Sequence, residues 1–374
     1  MHMKRYPCVY MRGGTSKAVY FHEKDLPDDK EKWPELFLKV MGTPDKKQID
    51  GIGGAHPTTS KIAVIAPSRR KDCDVDYTFF QVGVDSAVVE SHANCGNISC
   101  GVGPFAIDEG LVPATEPVTV VKIYNTNTKK IIEEHVRVKN GKSMTVGDTA
   151  VTGVPGTGSG IDVYFQNPGG ASTGKLFPTG NKKDLLRPEH YPPVEVTMID
   201  CSNPVVFIQA ADLGLGGSEI VEFVTNQSIL DHVEAIRGCA AAAFGFVNDP
   251  KDARHLSLSV PKVSIISSPH DYVGAHGELV PAETMNICSR VISVGSFHKT
   301  HPITVGIATA SAASIPGTIV WNAAKAPQEK GIFYIGHPYG IMPIKLEMDG
   351  EHVVKGGTVR TARRIMDGYI YIND

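Results

Sequence analysis

The chain has 374 residues, 41% of them hydrophobic, and a formal net charge of -3, which is long enough for a full core and, as a prior, for two domains. No basic run marks a nucleic-acid surface, and no apolar run approaches the roughly 18 residues of a membrane span. The N-terminus MHMKRYPCVYMRGG lacks the apolar core and small-residue cleavage site of a signal peptide, so a cytoplasmic protein with neither nucleic-acid nor membrane partners is expected.

The 38 glycines and 25 prolines exceed the roughly 12% share of an average chain, so the backbone turns often. The first half supplies short β-rich runs: YPCVYM, KAVYF, KIAVIAP, DVDYTFFQVGV, SAVVES, VTVVKIYNT and IIEEHVRV. Between the second and third, Lys30 to Met41 places Trp33, Leu36, Phe37, Val40 and Met41 at helical spacing. Residues 96 to 109 read as one helix with Ile98, Val102, Phe105 and Ala106 on one face, weakened or bent at Pro104. From Gly153 to Pro193 the chain is rich in Gly, Pro, Ser, Thr and Asn, and the linker is placed near 185 to 193. This gives domains 1–188 and 189–374, with the last strand free to cross back to the first.

Beyond the linker the order of elements partly repeats. VTMIDCSNPVVFIQA reads as strand, tight turn at Ser202-Asn203-Pro204, strand, echoing CVYMRGGTSKAVYFHE. HKTHPITVGIATASAASIPGTIV gives a small-residue helix ending at Pro316-Gly317, echoing NCGNISCGVGPFAIDEGLVP, which ends at Gly110. Small residues on every side of such a helix imply a sheet that wraps it closely.

Seven cysteines, an odd number without compact spacing, suit reduced thiols better than a disulfide framework. Cys95 falls at the start of the first central helix, where unpaired N–H groups favour a thiolate or a carboxylate. Cys100, one turn further in, reads as a small buried hydrophobe.

MRGGTSK, DGIGGAHPTTSKIAVI, NCGNISCGVGPFAIDEG, GKLFPTGN, SNPVVFI, HKTH, IPGTIV and TARRIMDG together resemble the PrpF-like family of 2-methylaconitate cis-trans isomerases, methylitaconate Δ-isomerases and oxalomesaconate tautomerases. The resemblance runs from about residue 6 to 370. It implies an α/β fold of the diaminopimelate-epimerase type: two pseudo-symmetric domains, each a β-barrel-like sheet around a central helix, with the site in the cleft between them. It implies a reacting pair, Lys61 of TTSK and Cys95 of NCGN, and a small unsaturated polycarboxylate as substrate. The chain shows no P-loop, no G-x-G-x-x-G at a strand–helix junction and no Cys/His ligand cluster, so no cofactor and no metal are expected.

Lys61 directly precedes the apolar IAVIA run, and desolvation there would supply the neutral amine that proton abstraction from carbon requires. Candidate donors for the substrate carboxylates are Gly96 and Asn97 at the helix start, and Thr15, Ser16 and Lys17 in the first turn. Ser202, Asn203, His298 and Lys299 are the candidates of the second half. His301 reads as structural, because no ligand cluster accompanies it.

One departure from the fold's epimerases is visible: they place a cysteine at each central helix, and PITVGIATASAASIPG has none. The alternatives kept are an epimerase of the same fold and a non-catalytic accessory to an aconitase-type dehydratase. A homodimer is expected from the resemblance and base rates.

Overall fold

A computed structural model describes residues 3–91, 94–220, 225–327 and 329–373. By contacts the chain forms two compact units: Met1–Tyr164 with Val359–Asp374, and Phe165–Thr358. The linker expected near 185–193 lies inside the second unit, because Asp184–Leu186 pairs antiparallel with Val194–Cys201. A Pro/Gly-rich composition marks turns, and turns occur within a domain as readily as between two.

In the first unit, β1 (Met3–Gly13) and β2 (Ser16–His22) form an antiparallel hairpin. β3 (Lys61–Pro67) lies parallel to β2, and β4 (Val75–Val82) antiparallel to β3. The short β5 (Val89–Glu90) pairs with one end of β4, and β6 (Val118–Asn125) runs parallel to β4 before turning back as β7 (Lys130–Lys139). The C-terminal strand Ala362–Asn373 closes onto β1 antiparallel along nearly its whole length.

Helix α1 (Trp33–Met41) packs where its spacing predicts, burying Trp33, Leu36, Phe37, Val40 and Met41 with Val19, Phe21, Ile62 and Val64 of the strands. It stops at Gly42, whose φ of 75° is the left-handed cap that glycine adopts without a Cβ penalty.

The single helix expected over 96–109 is broken. It forms α2 (Gly96–Ser99) and α3 (Val102–Asp108), joined through Cys100 and Gly101. Pro104 has no N–H for the Cys100 carbonyl, and the Gly103 N–H, which would continue the ladder to Ser99, donates instead to Glu134 Oε2 at 2.9 Å. The break therefore precedes the proline rather than following it.

The second unit repeats this plan. β8 (Asp184–Leu186) flanks the hairpin β9 (Val194–Cys201) and β10 (Asn203–Gln209); β11 (Lys262–Ser267) is parallel to β10, and β12 (Ile287–Ser293) antiparallel to β11. The short β13 (Ser296–His298) pairs with β12, β14 (Ile332–His337) is parallel to β12, and β15 (Gly340–Asp349) antiparallel to β14. An outer helix, α4 (Gln227–Ala243), sits between β10 and β11 as α1 sits between β2 and β3.

The central helix α5 (Ile303–Ala313) is buried on every side from Ile303 to Ala312. A Cβ on Gly306 would stand 2.4 Å from Met342 Cε and 2.8 Å from Ile344 Cδ1, so side chains of β15 close directly onto the helix at this glycine. The matched sequence of parallel and antiparallel joins shows the repeat as topology, where the residues show it only as order.

Candidate active site

Lys61 opens β3, a strand buried on both faces through Ile65. It is 7% exposed, and its register partner on β4 is Gln81. Partners across an antiparallel ladder share a face, which brings the two side chains together. Lys61 Nζ donates to Gln81 Oε1 and lies 5.1 Å from the centre of the Phe79 ring. Burial lowers the lysine pKa from its ordinary value; the charge of a Cys95 thiolate opposes that, and desolvation is the larger effect. The Phe79 ring face favours an ammonium.

The loop before Lys61 is held from below. Gln48 donates to Thr43 Oγ1 at 3.0 Å and Ser60 Oγ at 2.7 Å, while its Oε1 accepts from Ala55 N–H at 3.0 Å. Ala55 adopts a φ of 57°, a conformation that costs a non-glycine residue on the order of 1 kcal/mol and persists only where the surroundings hold it. Thr58 completes the tether, its carbonyl accepting from Lys17 N–H at 2.9 Å.

Cys95 is the N-cap of α2. Its carbonyl accepts from the Ser99 N–H and hydroxyl, both at 2.9 Å, and its half-buried thiol makes no capping bond. α2 is a single turn rather than the fourteen-residue helix expected, so its dipole is small. What remains are the N–H groups of Gly96 and Asn97, which precede the first intrahelical donor. Cys100 is fully buried and donates to the Asn97 carbonyl at 2.6 Å; burial, reinforced by Glu134, pushes its pKa up and keeps it a thiol.

The first turn meets the same helix start. A Cβ on Gly13 would stand 2.3 Å from the Asn97 carbonyl, and one on Gly14, whose φ is 50°, 2.2 Å from Asn97 Oδ1. Asn97 is 3% exposed, and its side chain receives the Thr15 N–H at 3.4 Å. Ser16 is buried, and the half-buried Lys17 holds its ammonium 5.4 Å from the centre of the Tyr10 ring. The first unit thus gathers Thr15, Ser16, Lys17, Lys61, Cys95, Gly96 and Asn97 around one hairpin turn and one helix start.

Beneath them lie two side chains that the motifs do not reveal. Tyr20 O–H donates to the Ile98 carbonyl at 2.6 Å, and Gly101 admits its ring, since a Cβ there would stand 2.3 Å from the hydroxyl. Glu134 is fully buried on β7, and burial raises its pKa well above the ordinary carboxylate value. Strand alternation was the available signal, because it sets Glu134 between buried Ile132 and Val136. The same alternation sets Gln81 in the buried row of Val75, Tyr77 and Phe79.

The second unit has a matching turn and helix start. Ser202, at φ 64°, turns β9 into β10, and the fully buried Asn203 donates through Nδ2 to Thr304 Oγ1, the second residue of α5, at 2.9 Å. His298 Nδ1 faces the Thr300 carbonyl at 2.8 Å, Lys299 is exposed, and His301 is buried with Nε2 2.9 Å from Ser289 Oγ. Cys201 packs against Ser311 far along α5, Cys288 is buried, and Cys239 lies on α4; among the described residues no thiol stands at the start of α5. No metal-binding group of three or more His, Cys, Asp or Glu occurs among the described residues, and no described helix is long and apolar enough to cross a membrane.

The family model described as PrpF protein matches residues 3–373. The chain belongs to the PrpF family. It is 41% identical to the 3-methylitaconate isomerase of Eubacterium barkeri, covering 98% of this chain and 97% of that one. It is 39% identical to the (4E)-oxalomesaconate Delta-isomerase of Novosphingobium sp. (strain KA1), again covering 98% and 97%. A crystal structure of a methylitaconate-delta-isomerase superposes with a TM-score of 0.83 at 41% identity, over 100% of this chain and 96% of that one. A hydroxyproline epimerase from Agrobacterium vitis, at 9% identity, TM-score 0.56 and coverage of 99% and 93%, shares the fold alone. The PrpF chain described here is therefore an isomerase with a diaminopimelate-epimerase-like fold.

Proposed function

We propose that this PrpF protein moves or rotates the C=C bond of a small unsaturated di- or tricarboxylate, of the methylitaconate, 2-methylaconitate or oxalomesaconate type, by allylic proton transfer between Lys61 and Cys95. The observation that carries this reading is the buried Lys61 amine, with its pKa pulled down and its charge coupled to the Cys95 thiol at the α2 start. A neutral amine removes the allylic proton and becomes an ammonium; the electron pair spreads through a dienolate onto a carboxylate oxygen. The Cys95 S–H then delivers a proton, leaving a thiolate: at the far carbon of the dienolate this moves the double bond, and at the original carbon after rotation about the former double bond it exchanges cis and trans; proton return from Lys61 to Cys95 resets the pair. In the reverse direction the roles exchange. The sum is an isomerisation with no net redox change and no loss of atoms.

Donors already in place lower the barrier for the charge that develops on the carboxylate. Gly96 and Asn97 N–H groups and the Thr15–Lys17 turn supply them in the first unit. Ser202, Asn203, His298 and Lys299 enter the reading on the family resemblance alone; Lys299→Ala would then raise KM with kcat little changed. The epimerase reading has no supporting observation, since the start of α5 carries no described thiol. A cytoplasmic homodimer belongs to the same reading, and light scattering reports the oligomeric state.

The test is incubation of the purified protein in D₂O with a panel of methyl-substituted itaconates and aconitates, and oxalomesaconate. Double-bond migration or cis-trans change of one of them, with deuterium entering the allylic position and amino-acid stereoisomers untouched, is expected. Deuterium at Cα of an amino acid with the polycarboxylates unchanged overturns the reading.

A further inference from the structure

The amide of Gln81 has one orientation available to it. Its Nε2 faces the carbonyls of Pro57 and Ser60, each at 3.0 Å, and of Val82 at 3.4 Å. Carbonyls only accept, so the NH₂ group must point to them and the amide oxygen is left to face Lys61 Nζ. Gln81 is 6% exposed, so little water competes for that oxygen. The carbonyls come from the loop just before Lys61 and from β4 itself, and the Ser60 carbonyl that helps set the amide is bonded directly to the Lys61 backbone nitrogen.

We propose that Gln81 is the positioning residue of the Lys61 base, an orientation-locked neutral acceptor that aims the amine without adding charge to it. This rests on Lys61 acting as the base. A carboxylate in the same place would aim the amine equally well, and would also stabilise its ammonium, which cannot take a proton from carbon. An apolar side chain would leave the amine's charge state to burial but would not hold its direction. An amide does both tasks.

The titratable groups on the surrounding elements are few. Cys95 at the α2 start acts on the amine directly. Lys17 at the beginning of β2 places its ammonium over Tyr10, and His56 in the preceding loop contacts Thr58 Oγ1. Glu90 on β5 is the register partner of Gln81, which makes a row of Lys61, Gln81 and Glu90 across three strands. Gln81 is thus the middle residue of that row, and the charge that bears on Lys61 is that of Cys95.

The experiment compares Gln81→Glu, Gln81→Met and Lys61→Ala with the unaltered protein, reading kcat and KM from about pH 5 to 10, with circular dichroism and the thermal midpoint as folding controls. In Gln81→Glu the acid limb of kcat/KM is expected to move up by about one pH unit or more, as an opposite charge at contact distance shifts a pKa by roughly 1–3 units. In Gln81→Met kcat is expected to fall about tenfold or more, KM to change little, and the limb not to move upward. A folded Gln81→Glu protein with an unmoved limb, or a folded Gln81→Met protein with normal kcat, overturns the proposal. A crystal structure of the unaltered protein with Lys61 Nζ beyond hydrogen-bond reach of Gln81 Oε1 overturns it whether or not the variants fold. Activity retained in Lys61→Ala instead removes Lys61 as the base, which is a separate result.

Discussion

The proposed mechanism places opposite demands on Lys61 and Cys95 at the residue scale. In it the lysine loses its charge by burial and the cysteine keeps access; Lys61 is 7% exposed and Cys95 half-buried. Lys61→Ala is expected to cut kcat by at least about 10²-fold, the usual weight of a positioned base, in a steady-state assay with the substrate found by the panel. Cys95→Ser is expected to cripple turnover, while Cys100→Ser stays close to normal, because a hydroxyl in place of the Cys100 thiol can still donate to the Asn97 carbonyl. Iodoacetamide labelling followed by peptide mass spectrometry distinguishes the two thiols: modification of Cys95 should track inactivation, and Cys100 should stay unlabelled until the protein unfolds.

At the scale of elements, the broken central helix of the first unit sets where the helix start stands. Tyr20 and Glu134 hold the two sides of the break, and glycines at 101 and 103 make room for them. Tyr20→Phe removes one donor to the buried Ile98 carbonyl, which keeps the Gly101 N–H at 3.1 Å, so the expected cost is about 0.5–1.5 kcal/mol in urea denaturation. Gly103→Ala drives a Cβ to 2.5 Å from Glu134 Oε2 and 2.9 Å from Val136, with a comparable expected loss of roughly 1–3 kcal/mol.

Glu134 also makes stability depend on pH. Burial raises its pKa above the unfolded value, so the folded chain keeps a proton that the unfolded chain gives up. The stabilisation is therefore full below the unfolded carboxylate pKa, about 4.3, and is lost as pH rises through the raised folded value. Glu134→Gln has no such proton. The stability of the unaltered protein minus that of Glu134→Gln is expected to fall between about pH 4 and neutrality, and parallel urea titrations at several pH values would measure it.

For the whole molecule, the repeat is one of strand joins and helix positions within each unit. The C-terminal strand belongs to the first unit through its ladder with β1, and Arg364 on it contacts Glu109 Oε1 at 2.7 Å, while His22 on β2 lies 3.0 Å from the other oxygen. Truncation after Thr361 removes that ladder and leaves β1 with an open edge, so the shortened chain is expected to aggregate or to lose protection in the first unit. Hydrogen exchange resolved by peptide should show the loss concentrated in β1 and β2.

The sequence alone carried the first-half strands, the α1 spacing and the family motifs, on which the choice of Lys61 and Cys95 rests, because periodicity and turn residues act locally and long motifs resist chance. It also announced the repeat, since both halves run through the same order of turns and small-residue helices. Only the tertiary structure decided what faces these residues. That Gln81 meets Lys61 depends on the register of β3 with β4, that Glu134 takes the Gly103 N–H depends on β7 lying under the helix, and the division at Tyr164 depends on which strands pair. Each is a contact between segments distant in the chain, and no local pattern of residues encodes the partner.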